Sequence, residues 1–149
     1  MSLDQLYQQI ILDHSKARHG SGLAATDAPA GAATGQSHQL NPVCGDEVTL
    51  RLAVQDGKVV QVAWDGAGCS ISMASASVLS ELADGMTVAE LHQVIESFRE
   101  VLRSRGKVQA DPELLGDAAA FEGVARYAAR VKCAMISWVA AEDALNQAA

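Results

Sequence analysis

Positive charge is scarce in this chain: 11 Lys and Arg stand against 18 Asp and Glu, a formal net charge of -7. Proteins that grip a phosphate backbone do so with clustered Lys and Arg. The few basic residues between positions 99 and 107 do not amount to such a cluster, so nucleic acid is not an expected partner. Also missing is any apolar run near the roughly 20 residues needed to cross a bilayer. Asp4 and Asp13 fall where a signal peptide needs an uncharged stretch. No membrane association is expected, and the chain is expected to stay in the cytoplasm. Cysteine is sparse as well. Three is an odd number, and in a reducing compartment thiols stay free for packing, catalysis or metal binding rather than crosslinks. Internal repeats and the paired CxxC spacing of common zinc modules are absent too.

What is present fits one compact domain over residues 1–149: the chain is 49% hydrophobic and 19% charged, long enough to bury a core without disulfide staples. Leu3, Leu6, Tyr7, Ile10, Ile11 and His14 recur at spacings of three and four, the stripe of an amphipathic helix that docks on something. His14 on that stripe reads as a buried, hydrogen-bonded histidine rather than a ligand; His19, His38 and His92 carry no signal. Gly20 to Gly35 is poor in large apolar groups and is expected to be a mobile loop, followed by a short strand over Gln36 to Leu40.

Val48, Leu50, Leu52 and Val54 alternate with Thr49, Arg51 and Gln55. Asp56-Gly57 then turns the chain into Val59 to Trp64, so a hairpin with one buried face is expected. Ser70 or Ser72 can cap a helix running to about Ala83, whose interleaved Ala and Ser residues permit close packing. Thr87 and Glu90 form a capping box for a helix striped by Val88, Leu91, Ile95, Phe98 and Leu102 and ending near Gly106. Asp111-Pro112 starts a short helical turn that Gly116 interrupts. The last helix, about Cys133 to Leu145, is apolar nearly all round, with Trp138 in the core. This order predicts an α+β fold, a small antiparallel sheet of about three strands with helices packed on one side.

The cysteines sit in informative surroundings. In Cys44-Gly45-Asp46 a thiol and a carboxyl flank a glycine, so one turn can supply two metal ligands. Cys69 follows 25 positions later, where glycines lead a strand into a helix; the amides and dipole of a helix start favour a thiolate there. Cys133, a further 64 positions on, is placed at the opening of the last helix behind Arg130 and Lys132. Three thiolates and one carboxylate suit tetrahedral Zn²⁺, leaving a formal site charge of -2 that Arg130 and Lys132 could offset. Any one of the three taken alone is equally well a packed core residue.

Three blocks, Asn41-Pro42-Val43-Cys44-Gly45-Asp46, Gly68-Cys69-Ser70-Ile71-Ser72-Met73-Ala74-Ser75-Ala76-Ser77 and Arg130-Val131-Lys132-Cys133-Ala134, together with Leu6-Tyr7 through Ile11-Leu12-Asp13-His14, resemble the SufU branch of the IscU-like iron–sulfur cluster assembly proteins. The family's usual proline before arginine is absent, since Ala17 precedes Arg18. The resemblance implies an IscU/SufU-like fold with zinc held by Cys44, Asp46, Cys69 and Cys133. It also implies a sulfurtransferase in which a SufS-type cysteine desulfurase passes persulfide sulfur to Cys44, released from the metal when a partner group takes its place. A downstream cluster-assembly scaffold would be the next partner, and Arg130 would steady the thiolates or the persulfide. Scaffold-type relatives carry a histidine before the last cysteine, where this chain has Lys132, and that difference selects the SufU branch. The alternative functions are a scaffold building a [2Fe-2S] cluster, or binding iron, on the same residues, and a non-catalytic zinc-stabilised adaptor. The acidic positions read mainly as solvated surface, with an acidic face available to steer docking onto a basic desulfurase.

Overall fold

The computed structural model describes residues 2–149. Helix α1 (Leu3–Ala17) opens on a capping box: the Ser2 side chain accepts from the Gln5 N–H, and the Gln5 side chain accepts from the Ser2 N–H. The expected stripe docks only in part. His14 is buried and Tyr7 and Ile11 pack partly against the core, while Leu3, Leu6 and Leu12 remain exposed. Arg18 ends the helix in a left-handed conformation (φ 48°). Its guanidinium donates to the Gly66 carbonyl and lies 5.0 Å over the Trp64 ring, so the α1 exit is tied to the sheet without the proline.

The Gly20–Gly35 segment differs from expectation. It has few apolar anchors, but polar groups fasten it: Trp64 Nε1 donates to the His19 carbonyl, Arg51 Nη2 to Thr26, and Gln61 Nε2 to Asp27, around a short 3-10 turn at Leu23–Ala25. Its last residues already belong to strand β1 (Ala33–Asn41). β1 pairs antiparallel with β2 (Asp46–Gln55), which pairs antiparallel with β3 (Lys58–Ala67), in the order β1-β2-β3. Asp56 (φ 55°) and Gly57 (φ 75°) are both left-handed, the backbone that matches a two-residue hairpin loop to strand twist. Val48, Leu50, Leu52 and Trp64 are fully buried.

Helix α2 (Ser70–Ala83) starts one residue after Cys69, which occupies the cap position without a side-chain cap bond; Ser70 and Ser72 lie in the first turn instead of capping it. Ser72 through Ser80 are all buried, so the helix is enclosed rather than striped. Its buried hydroxyls find partners. Ser75 Oγ donates to the Ala134 carbonyl and accepts from Trp138 Nε1. Helix α3 (Val88–Arg103) carries the Thr87/Glu90 capping box, and α4 (Pro112–Leu115) is capped by Asp111 and ended by Gly116. An unexpected 3-10 stretch, Gly116–Arg126, then buries Ala118, Ala119, Ala120 and Phe121. Helix α5 (Ala128–Ala148) lies against β1 and β2 while α2 lies against β3, so the helices share one side of the sheet. Trp138 stacks on Phe98 at 3.9 Å between ring centroids. At Gly35 a Cβ would collide with the Ala144 backbone, so only glycine lets β1 lie this close to α5.

Candidate metal centre

One end of the sheet gathers the residues of interest. The ladder between β1 and β2 closes on the pair Asn41 and Asp46, and the turn between them carries Cys44. Gly45 adopts φ 72° and donates its N–H to the Asn41 carbonyl at 2.9 Å, which turns the chain sharply enough to leave Cys44 exposed while returning Asp46 to full burial. Across the ladder, β3 ends at Ala67 and Gly68 leads into Cys69. A Cβ at Gly68 would overlap the Asp46 carboxyl, so that glycine makes room for the acid.

Donor atoms of Cys44, Asp46 and Cys133 lie within 4.8 Å of one another. Both thiols also converge on the Ala129 carbonyl, Cys133 Sγ at 3.6 Å and Cys44 Sγ at 3.9 Å. Cys69 flanks the trio without joining it: its N–H donates to Asp46 Oδ1 at 3.0 Å, while its Sγ sits 3.5 Å from Ser72 Oγ. Exposure falls from Cys44 through Cys69 to the buried Cys133. Cys133 does not open the last helix, as its neighbours suggested. The helix starts five residues earlier, at Ala128, and Cys133 lies more than a turn inside it, so helix-start amides cannot favour its thiolate. Burial pushes the Cys133 thiol well above its ordinary range, helped by the Asp46, Cys44 and Cys69 groups around it.

Asp46 behaves oppositely. Burial pushes its carboxyl up, but the Cys133 thiol, the Cys69 amide, the Ser72 hydroxyl and the Cys69 thiol together outweigh that and hold it below the ordinary value. Among the described residues Oδ2 nevertheless has no hydrogen-bond partner at good geometry, and the buried Asn41 Nδ2 beside it in the ladder is likewise unpartnered. A buried carboxylate oxygen left open beside two thiols is the environment a soft-to-borderline cation completes, so these donors fit Zn²⁺ or a thiolate-bound iron centre.

Arg130 is exposed on α5 in a groove with Tyr7, Ile11 and Ile71, and among the described residues its guanidinium makes no hydrogen bond to a cysteine. Lys132 is exposed too. It lines a second groove, between the end of β1, the end of α3 and α5, with Arg103, Arg105 and Arg126 on an apolar floor that includes Met135 and Ile136. Four cations thus line a groove that reaches the turn of the centre at Asn41, despite the acidic whole. Ser72, Gly68 and the Ala129 carbonyl were not singled out from sequence as parts of this site. Ser72 was detectable, since i+3 from Cys69 falls on the same helix face.

A sequence model described as the NifU-like N terminal domain matches residues 6–134. The chain belongs to that family. Within it, the chain is 36% identical over 142 residues to the zinc-dependent sulfurtransferase SufU of Bacillus subtilis, covering 95% of this chain and 90% of that one. It is 32% identical over 149 residues to the iron–sulfur cluster assembly scaffold protein IscU of Streptococcus pyogenes, covering 99% and 87%. A crystal structure of a SufU described as an iron–sulfur cluster assembly scaffold protein for the SUF system, from Fervidobacterium islandicum, superposes with a TM-score of 0.73 at 32% identity, over 97% of this chain and 99% of that one. This NifU-like chain thus has the IscU/SufU fold, including the three-stranded antiparallel sheet with helices on one side. None of its described helices is long and apolar enough to cross a membrane.

Proposed function

We propose that this iron–sulfur cluster assembly protein of the IscU/SufU type is a zinc-dependent sulfurtransferase that takes persulfide sulfur from a SufS-type cysteine desulfurase onto Cys44, for delivery to a downstream assembly scaffold. The observation that carries the reading is the convergence of exposed Cys44 with buried Cys133 and with Asp46, whose Oδ2 lacks a partner. Cys44, Asp46, Cys69 and Cys133 would hold the zinc, which when bound keeps the thiols deprotonated and the site closed.

The chain's own residues divide the work. Asp46 and Cys133 are anchored, one by β2 and the Cys69 amide, the other inside α5. Cys44 rides a turn whose Gly45 has open space around it, so it is the thiol free to leave the centre. As a thiolate, Cys44 attacks the outer sulfur of the desulfurase persulfide. A new S–S bond forms at Cys44, the bond to the desulfurase sulfur breaks, that sulfur departs as thiolate, and the proton stays on the transferred sulfur. Lys132, Arg103, Arg105 and Arg126 offer the partner a positive groove beside this exchange; Arg130, on the other side of α5, is available to steady the thiolates or the incoming persulfide.

The test mixes the protein with desulfurase and cysteine, follows alanine release, and looks by mass spectrometry for persulfide on Cys44. Cys44→Ala should abolish both the stimulation and the added sulfur; undiminished alanine release would mean an adaptor. A coloured, labile cluster passed to an apo-protein, in place of about one equivalent of tightly held zinc, would instead make the chain a scaffold.

A further inference from the structure

A second set of ligating groups lies away from the cysteines. Donor atoms of His14, Glu81 and Asp117 fall within 4.8 Å of one another. They come from three separate elements, α1, α2 and the 3-10 stretch. His14 Nε2 is 2.9 Å from Asp117 Oδ2, and Nδ1 is 2.9 Å from Ser77 Oγ. His19 completes the group: its Nε2 is 3.0 Å from Glu81 Oε2 and its ring meets the His14 ring edge-on at 5.4 Å. Its backbone N–H donates to Ser77 Oγ.

Charge is the reason to look further. Two carboxylates are drawn together here, and among the described residues no Lys or Arg pairs with either; each lies within hydrogen-bond distance of an imidazole nitrogen. With both imidazoles neutral the cluster carries -2, in a chain already at -7. A divalent cation balances that charge. The outer geometry suits one: with the proton on Nδ1, His14 donates to Ser77 Oγ and presents the Nε2 lone pair toward the carboxylates, the arrangement in which a second polar group orients a ligating histidine. Ser77 is itself fixed inside α2, fully buried.

We infer that His14, His19, Glu81 and Asp117 form a second divalent metal site, distinct from the cysteine centre. Two imidazoles and two carboxylates select first-row transition ions such as Zn²⁺ or Fe²⁺ over Mg²⁺, whose preference is for all-oxygen shells. Glu81 lies twelve positions beyond Cys69 along α2, about 18 Å at the helical rise, so the two sites do not share ligands. The ion would clamp α1, which buries only His14 fully, onto α2 and the 3-10 stretch. The site holds α1 by its C-terminal end and leaves the exposed Leu3 and Leu6 end free.

The experiment starts from protein whose cysteine centre is already filled with zinc and titrates Co²⁺ by calorimetry and absorption, in excess Mg²⁺. One further equivalent is expected to bind, without thiolate-to-cobalt charge transfer and with a rise in Tm. Glu81→Gln, Asp117→Asn and His19→Ala, all at exposed side chains, are each expected to weaken that equivalent at least tenfold while leaving the zinc content and helical circular dichroism unchanged. Absence of a second equivalent, its survival in Glu81→Gln and Asp117→Asn together, or the appearance of thiolate charge transfer for it would each overturn the inference. None of these outcomes depends on sulfur transfer by Cys44.

Discussion

Asp46 concentrates the tension of the site in one residue. It is fully buried, one oxygen accepts from the Cys69 amide, and among the described residues the other has no partner at good geometry. Its neighbour Gly68 has no side chain because the carboxyl occupies that space. Gly68→Ala should therefore push Asp46 aside and loosen the metal without disturbing distant helices. Zinc retention against a chelator should fall at least tenfold, with far-ultraviolet circular dichroism preserved; retention equal to wild type would show that Asp46 is no ligand. Metal-free protein offers a second check. The Asp46 carboxyl is held below its ordinary value of 3.8 in the folded state, so the folded state binds fewer protons there than the unfolded chain. Its stabilising contribution is complete above that ordinary value and disappears as pH falls through the lower folded-state value. Urea midpoints measured across the acid range should show wild type losing its advantage over Asp46→Asn as pH drops below about 4; parallel curves would contradict the shift.

Elements with a chemical start signal or a clear apolar stripe were legible, and those with neither were read late or not at all. Thr87 and Glu90 announced α3, and the structure forms both reciprocal bonds. Thr87→Ala is expected to cost about 1 kcal/mol, read as a lower urea midpoint with an unchanged slope. Asp111-Pro112 announced α4 in the same way, and alternation together with Asp56-Gly57 announced β2 and β3. Helix α5 gave no such notice. Its cap is Tyr127, which makes no side-chain cap bond, so the pattern became visible only at the apolar run from Cys133 and the thiol was misplaced to the helix start. The beginning of β1 was hidden for a related reason. Ala33, Thr34 and Gly35 carry no large apolar signal, because the glycine is there to admit the α5 backbone. The Gly116–Arg126 stretch is small and alanine-rich, and its burial comes from tertiary enclosure that no local period reveals.

Across the whole molecule, net charge proved a poor guide to local charge. The chain is at -7, yet four of its 11 cations line the groove beside Lys132. A partner meeting that face encounters these cations, so association with the proposed desulfurase partner should be steered by acidic groups on it. Reversing Arg103 and Arg126 to Glu together should raise the concentration needed for half-maximal desulfurase stimulation several-fold, leave maximal stimulation intact, and flatten its dependence on ionic strength. No change in either would place docking elsewhere. The motif blocks name Cys44, Asp46, Cys69 and Cys133 as candidate ligands, and the structure gathers Cys44, Asp46 and Cys133 with Cys69 flanking them. What sequence could not reveal is that they are ranked by depth, since that depends on where a turn, a strand end and a helix interior meet.

That ranking has a chemical corollary for the protein's durability. Because exposure falls from Cys44 through Cys69 to Cys133, a peroxide or alkylating agent reaching the metal-free chain meets the outermost sulfur first. Damage then begins at the residue proposed to carry cargo while the two deeper anchors survive, so an ageing population of molecules would keep its fold and its place in complexes long after it had stopped delivering anything.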